Sequence, residues 1–498
     1  MRGRSEAAAG AGSFAKPGEA RSLGGPGEAG KAVQSIVERV RLAGVVGAGG
    51  AGFPTHVKLE ARVEMVIANG AECEPLLRVD QLLMEHRAGR LAQGLRLAME
   101  ATGAKRGVIA TKRHYRKAVA ALREALSPGQ DITLHLMDSY YPSGDEKSLI
   151  FEVTGRVIPS GKLPADVGCV VCNVGTLLAV ADAAEGKPVT DKALTLCGDV
   201  PRPMTVEAPL GAPVRELLPL TGFSGREEDY GLILGGPLMG RLAEDWSVPV
   251  TKTLGGAILL RRNHPLILKR LQKPERQLRL TRSVCCQCSL CTQLCPRNAL
   301  GLRVEPHKAM RAYALGKGAL LNRPLGLLAC SGCGLCTHYA CNFGLCPSEV
   351  MTMLKDELSK EGVKPQPEEN IRPDPFLAEK RVPVQRLMAR MGLRAATPFI
   401  PPPGAAAGSR EREETIVPFT PGAREGSRVP PVVLPLCQHL GKPGVPVVKA
   451  GDRVAKGDLI AEIPEGALGA RLHASVAGRV TRVTEAVIEI APARTAGR

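Results

Sequence analysis

Of fifteen cysteines in the 498-residue chain, ten fall between Cys285 and Cys346, and their spacing decides what they can do. Cys285-x-x-Cys288-x-x-Cys291-x-x-x-Cys295-Pro296 is a run in which three thiolates grip one 4Fe–4S cubane. The fourth thiolate, held off by the proline turn, reaches a second cubane. A second run, Cys330-x-x-Cys333-x-x-Cys336, is trailed by Cys341 and by Cys346-Pro347. Zinc is served by two cysteine pairs rather than by two triplets with trailing cysteines. The spacing therefore predicts two 4Fe–4S clusters with crossed ligands. Cys285, Cys288, Cys291 and the trailing cysteine of the second run hold one; Cys330, Cys333, Cys336 and Cys295 hold the other. The trailing ligand is either Cys341, which is preferred, or Cys346, which carries the proline. Cys286 breaks the spacing and reads as a spare, and Cys73, Cys169, Cys172, Cys197 and Cys437 read as buried free thiols.

A second candidate is the loop Gly47-Ala-Gly-Gly-Ala-Gly52, in which glycines let backbone N–H groups approach a phosphate or a flat ring. It carries the letters G-x-G-x-x-G, but it follows an amphipathic helical pattern over Lys31–Leu42, and Phe53-Pro54 interrupts the expected helix start. A dinucleotide fingerprint requires a strand before the loop, so this loop on its own is equally well a tight turn.

The elements that must position these groups divide the chain into blocks. Residues 1–30 are rich in Gly, Ala and Ser and read as a disordered tail without the apolar stretch of a secretory signal. Residues 31–190 mix strand-like segments (Val63–Ala68, Gly107–Ala110) with a helical run at Lys117–Leu126, an α/β pattern. Residues 191–260 read as a small β-rich module, residues 261–363 as a helical domain around the clusters, and residues 364–430 as a Pro-rich linker with one helical stretch, Val384–Leu393. In residues 431–492, Val448–Val454 and Ala474–Val480 each set a Gly turn before a strand, the pattern of a barrel-sandwich fold. Lipoyl and biotinyl carriers need Lys at the hairpin tip, where this chain has Ala474-Ser-Val-Ala477, so a structural or docking role is expected.

The formal charge is +17, and between Arg261 and Arg282 eight Lys or Arg face one acid, Glu275. That segment reads either as a docking face for an acidic redox partner or as a solvated helix face. One Trp and six Tyr offer little for base stacking and no recognition motif occurs, so no nucleic-acid partner is expected. No long apolar run occurs, so no transmembrane segment is expected and the chain reads as cytoplasmic.

Four motifs in fixed order add a resemblance: Gly49-Gly-Ala-Gly-Phe-Pro-Thr55 with Lys58, Asn69-Gly-Ala-Glu-Cys-Glu-Pro75, Tyr141-Pro-Ser-Gly-Asp-Glu-Lys147 and Cys172-Asn-Val-Gly-Thr176. The chain resembles the flavoprotein of respiratory complex I and its relative in the Rnf complex, the RnfC protein. Its domain order, with Gln438-His-Leu-Gly441 near the C-terminus, is most similar to the cobalamin reductases of propanediol-utilisation microcompartments. The resemblance implies a multidomain α/β protein: a complex I flavoprotein-like FMN domain, a β-grasp (SLBB-like) module, a two-cluster ferredoxin-like helical domain and a C-terminal barrel-sandwich hybrid. It implies that FMN is lined by Gly49, Gly50, Gly52, Phe53, Lys58, Asn69, Glu72, Tyr141, Gly144 and Asn173, and that NADH docks near Glu74 and Glu146. Ala71 and Cys172 depart from the complex I pattern, which has Asp and Asn there.

The function so implied is transfer of electrons from NADH through FMN and two 4Fe–4S clusters to a corrinoid, in service of an adenosyltransferase, in the cytoplasm or within a bacterial microcompartment. The alternative is a relay component peripheral to a membrane redox complex of the Rnf kind. Nicotinamide gives electrons in pairs and a cluster carries one, which is why a flavin and clusters belong together in either case.

Overall fold

The computed structural model describes residues 34–126, 131–316, 326–393, 414–421 and 430–493. The expected N-terminal tail, and the proline stretch Thr397–Gly404, lie outside the described residues.

The first domain opens with helix α1 (Ile36–Leu42), the glycine loop and α2 (Thr55–Leu59). Strand β1 (Met65–Gly70) follows, then α3 (Val79–His86), α4 (Ala88–Thr102), β2 (Arg106–Lys112), α5 (Arg116–Ala125), β3 (Ile132–Met137), the short β4 (Tyr140–Tyr141), α6 (Glu146–Thr154), β5 (Cys169–Asn173) and α7 (Val174–Ala184). The long strands form a parallel sheet in the order β3-β2-β1-β5. Alternation along each strand explains the layering. Val66, Ala68, Ile109, Val170 and Cys172 pack with α4, α5 and α7 in one core, while Met65, Ile67, Val108, Ala110, Cys169 and Val171 pack with α6 residues Leu149 and Ile150 in the other. Burial on both faces is why the strands are nearly continuous apolar runs. Helices α4 and α7 meet at Gly94, where an added Cβ would lie 2.0 Å from the Leu177 carbonyl oxygen, so alanine there would force them apart.

The β-rich module contains β6 (Asp191–Gly198), β7 (Met204–Pro209), α8 (Val214–Leu217), β8 (Tyr230–Leu234), β9 (Arg241–Leu242) and β10 (Gly256–Arg261). In its sheet, order β7-β6-β10-β8-β9, the first and last strands lie parallel at the centre. The helical domain follows: α9 (Pro265–Arg270), α10 (Pro274–Val284), α11 (Leu290–Gln293), α12 (Pro296–Ala299), α13 (Pro306–Leu315) and α14 (Pro347–Lys360). The prolines after Cys295 and Cys346 are the first residues of α12 and α14, where a missing N–H costs nothing.

The stretch read as an extended linker stays largely exposed over residues 364–381 but is tied to the domains, and residues 382–393 form a packed strap. Glu368 accepts hydrogen bonds from the Ser160 N–H and hydroxyl, at 2.9 and 2.7 Å, and the Asp374 N–H donates to the Ala299 carbonyl. Strand β11 (Val382–Pro383) pairs with β4, and α15 (Val384–Arg390) buries Val384, Leu387 and Met388. Proline content suggested solvated chain, whereas here it shapes turns that still reach apolar partners. Farther on, β12 (Ile416–Pro418) adds to the edge of the module beside β7.

The C-terminal barrel comprises β13 (Val432–Pro435), β14 (Val445–Pro446), β15 (Arg453–Val454), β16 (Leu459–Glu462), β17 (Leu472–His473), β18 (Gly478–Val483) and β19 (Val487–Pro492) in two sheets. The two Gly-turn halves of the sequence meet, since β15 pairs with β18. The position where a carrier would present lysine is closed: Ala474 and Ser475 are buried, and the Ser475 hydroxyl donates to the Leu210 carbonyl at 2.5 Å. The barrel is also tied to the glycine loop, because the Leu440 N–H donates to the Gly52 carbonyl at 3.1 Å. Lys252 joins three domains, its ammonium donating to the Gly44 and Arg471 carbonyls at 2.7 Å each. Among the described residues no helix is long and apolar enough to cross a membrane.

Candidate flavin and iron–sulfur sites

Strand order reverses between β1 and β5, and in doubly wound sheets ligands bind at that crevice, outside the carboxyl ends of the strands. Asn69 is the next-to-last residue of β1, Lys112 ends β2 and Asn173 ends β5, with Asn69 and Asn173 side by side in register. The glycine loop lies across this edge. A Cβ on Gly49 would lie 2.9 Å from the Asn173 Nδ2, whereas one on Gly50 would meet nothing within 4 Å. The loop is thus pinned at Gly49 and open at Gly50. Its other end is held by the Ala48 N–H donating to the Thr176 hydroxyl at 2.9 Å and by the Gly47 N–H donating to the Phe53 carbonyl at 2.9 Å. Asn173 caps the 11-residue α7, accepting from the Gly175 N–H, so the positive end of that helix faces the crevice. Such a cradle, with backbone N–H groups and room where a side chain would stand, suits the phosphate or ring of FMN.

The other expected flavin residues gather unevenly. Asn69 Nδ2 donates to the Gly144 carbonyl at 2.9 Å while its Oδ1 accepts from the Ala71 N–H at 3.1 Å. Gly144 is wedged there: a Cβ would lie 2.4 Å from the Ala71 oxygen and 2.9 Å from Cys73 Sγ. Lys58 and Glu146 are each other's partners at 3.1 Å, and Lys58 also donates to the Val171 carbonyl.

Glu74, expected where NADH docks, is engaged within the protein. Its carboxylate accepts from the Leu238 and Met239 N–H groups at 2.9 Å each, clasping the β-rich module to the flavin domain. The clasp leaves no room for a side chain at Gly236. Tyr141 likewise faces away from the glycine loop, donating to the Cys333 carbonyl at 2.5 Å.

Glu72, named from the sequence, stands in a cluster of charges with Asp80, Lys112 and Lys192, which sequence reasoning missed. Burial and the charge of Asp80 push the half-buried Glu72 up to about 8, against the pull of Lys112. Burial raises Asp80 to about 6, opposed by its bond from Asn173 at 2.8 Å and by Lys192. Burial lowers Lys192 to about 8 and also lowers Lys112, whose ammonium donates to the Glu72 carbonyl oxygen at 2.5 Å. A lysine two residues past the predicted strand Gly107–Ala110, as Lys112 is, was the available signal.

The cysteines of the two runs act on one another electrostatically. Burial raises the Cys291 thiol to about 12, and the charges of Cys341, Cys288 and Cys285 add to it. Burial likewise raises Cys333 to about 12, with Cys295 and Cys330 adding, and raises Cys336, with Cys333, Cys330, Cys295 and, across the two runs, Cys291 adding. Cys346 caps α14, buried, and the cysteine whose charge acts on it most is Cys341. All the cysteines are free thiols. Among the described residues no three acidic, His or Cys side chains converge tightly enough for a single metal ion.

Backbone shape adds an independent mark. Gln287 and Ser289 in the first run, and Gly332 and Gly334 in the second, occupy matching places and all have φ between 56° and 73°. Non-glycine residues rarely adopt that conformation, so both loops are held to one shape. Each also points a donor at its first thiol: the Gln287 amide to Cys285 Sγ at 3.2 Å and the Gly332 N–H to Cys330 Sγ at 3.4 Å. The longer gap before Cys341 has a cause too. Cys336–Ala340 forms a π turn, with the Cys341 N–H donating to the Cys336 carbonyl, which absorbs the extra residue.

The two sites are joined. Arg297, two residues past Cys295, pairs with Asp145 at 2.6 Å, both largely buried, and Asp145 adjoins Gly144 and caps α6. Around the Cys333 loop, Leu76, Leu77, Tyr141, Ile233, Leu335, Val382, Leu387 and Met388 form one apolar core drawn from the flavin domain, the module, the cluster domain and the strap.

Fold and site define a flavin- and iron–sulfur-binding electron-transfer protein. Residues 40–182 match the Nuo51 FMN-binding domain, residues 284–346 a 4Fe-4S dicluster domain, and residues 424–495 the RnfC barrel sandwich hybrid domain. Cobalamin reductase PduS of Salmonella typhimurium is 44% identical over 457 residues, covering 91% of this chain and 96% of that protein. The protein of the same name from Citrobacter freundii is 42% identical, covering 92% and 96%. The chain belongs to the cobalamin reductase family. A component of the Na(+)-translocating ferredoxin:NAD(+) oxidoreductase complex of Acetobacterium woodii is 36% identical over 280 residues, 55% of this chain and 60% of that component.

Proposed function

We propose that this protein is an oxidoreductase that takes electrons from NADH and delivers them to a corrinoid. The observation that carries the reading is the junction of a flavin cradle with a paired cysteine framework, through Tyr141–Cys333 and Asp145–Arg297, in a chain of this family. Bound FMN and two 4Fe–4S clusters supply the change from paired to single electrons.

The chain's own residues do the rest. The Gly49–Gly52 backbone and the α7 N-terminus hold the flavin phosphate or ring, Asn69 and Gly144 shape the opposite wall, and Glu72, Asp80, Lys112 and Lys192 set the charge of the crevice. Lys58 and Glu146 are assigned to its rim. Glu74, expected where NADH docks, and Tyr141, expected at the flavin, are assigned to domain clasping and to the link with the second cysteine loop. Cys285, Cys288, Cys291 and Cys341 are assigned to one cluster and Cys295, Cys330, Cys333 and Cys336 to the other, with Cys346 left as a core thiol. The central sheet order of the β-rich module, with its first and last strands adjacent and parallel, supports a β-grasp of the SLBB kind. An adenosyltransferase fits as consumer of the reduced corrinoid, in the cytoplasm or within a microcompartment.

The test is NADH-driven reduction of hydroxocobalamin by the chain alone, purified without oxygen. Reduction that is lost on Cys336→Ser supports the reading; an iron-loaded, flavin-loaded chain that leaves hydroxocobalamin oxidised refutes it. Likeness to the Acetobacterium component favours a relay role as the second reading. In that case NADH oxidation begins only when partner proteins are added.

A further inference from the structure

The two cysteine groups differ in how they meet solvent. In the Cys295, Cys330, Cys333 and Cys336 group, Cys333 packs against the apolar core shared among the domains and its carbonyl accepts from Tyr141, Cys295 lies two residues before the Arg297 of the Asp145 pair, and none of the four is exposed. In the other group Cys288 is exposed, as is its neighbour Cys286, and the chain beyond Cys341 exposes Phe343 at 52%. Helix α10 runs directly into Cys285 with Lys273 before it. Lys273, Arg276 and Arg279 are exposed, and among the described residues none of the three has a carboxylate partner. The arginines lie three residues apart, so they share one side of the helix. Glu275 is the one acid in α10.

We infer that the Cys285–Cys291 end is where electrons leave, and that α10 with Phe343 forms a docking face for an acidic protein that carries one electron. This rests on the function proposed above and adds its partner. The reasons are positional and electrostatic. An exposed thiol loop is the place where a tunnelling distance to another protein can be short, whereas Cys333 of the other group is joined through Tyr141 to the flavin domain. An exposed aromatic residue following Cys341 and exposed positive charge preceding Cys285 supply the apolar centre and charged rim of a transient interface. Complementary charge raises encounter rates. A second copy of this chain is disfavoured because each copy carries +17. The balanced reaction is NADH plus two oxidised carriers giving NAD⁺, one proton and two reduced carriers.

A matched pair of probes tests this: native cytochrome c, which is basic, and succinylated cytochrome c, which bears the same haem on an acidic surface. With anaerobically purified full-length protein and NADH, reduction of the succinylated form is expected to fall about tenfold between low and about 0.2 M salt, while that of the native form does not fall. Lys273→Glu/Arg276→Glu/Arg279→Glu is expected to slow the succinylated reaction about tenfold at low salt and to remove its salt dependence. Iron, flavin and hydroxocobalamin reduction should stay at wild-type levels. Equal salt dependence in variant and wild type overturns the proposal, and so does native cytochrome c being the faster acceptor at low salt. It is also overturned if the substitutions abolish binding to vesicles of anionic phospholipid yet leave carrier reduction unchanged. Wild-type protein that shows the expected salt dependence but leaves hydroxocobalamin oxidised supports this face and refutes the corrinoid reading.

Discussion

The Asp145–Arg297 pair offers a perturbation whose sign can be worked out in advance. Its side chains are 9% and 11% exposed, and Arg297 lies within electrostatic reach of Cys333 and Cys295. Breaking a buried pair from one side costs roughly 3–5 kcal/mol, because the other charge stays behind. Asp145→Asn leaves the guanidinium uncompensated beside the Cys295 group. A unit charge about 7 Å away in a medium of effective dielectric about 20 contributes about 2 kcal/mol. That is worth about 100 mV on a one-electron couple. The extra positive charge favours the reduced, more negative cluster, so its potential should rise by that order. Arg297→Gln leaves the carboxylate instead and should lower it by a similar amount. Asn still caps α6, so the helix start survives the first substitution. Redox titration followed by electron paramagnetic resonance reads the two clusters separately. Opposite shifts in one cluster with the other unmoved are expected. Shifts of the same sign in both variants, or equal shifts in both clusters, refute the placement of this pair between flavin and cysteines.

Four further outcomes follow from the geometry. Cys341→Ser should lose about half the iron while Cys346→Ser retains it, as measured by iron and acid-labile sulfide. Gly50→Ala should fold normally, since its Cβ meets no protein atom, yet bind FMN about tenfold or more weakly in a fluorescence titration; unchanged affinity would remove the loop from the cradle. Glu72→Gln should slow NADH-driven bleaching of the flavin in stopped flow, and wild-type rates would take Glu72 out of the site. Burial lowers the Lys252 pKa from 10.5 to about 7, so the unfolded chain binds the extra proton between those values. Stability should therefore rise with pH from about 7 toward 10.5, and fall as pH drops through that window, by a few kcal/mol in total. Lys252→Met should flatten that part of the profile in thermal melts, and an unaltered slope would refute the assignment.

What was legible in the sequence was chemistry fixed by short spacing. The cysteine triplets carry their loop geometry with them, because two intervening residues can turn only in a few ways. The strand Met65–Gly70 and the helix Arg116–Ala125 were visible through apolar patterning, each within two residues of the expected bounds. The roles of Glu74 and Tyr141 were not legible, since their partners lie in segments more than 150 residues away. The strap was missed because β11 is a two-residue strand and its pairing with β4 leaves no periodic trace. Arg297 was hidden for a related reason: beside a cysteine run an arginine reads as surface charge until its carboxylate partner is placed.

The central claim is that one chain holds a flavin and two cubanes together. Metal, sulfide and flavin analysis of protein purified or reconstituted without oxygen tests it most directly. About eight iron, about eight sulfide and about one FMN per chain are predicted. About four iron would contradict the second cluster, and a colourless chain free of iron and flavin would contradict the whole account.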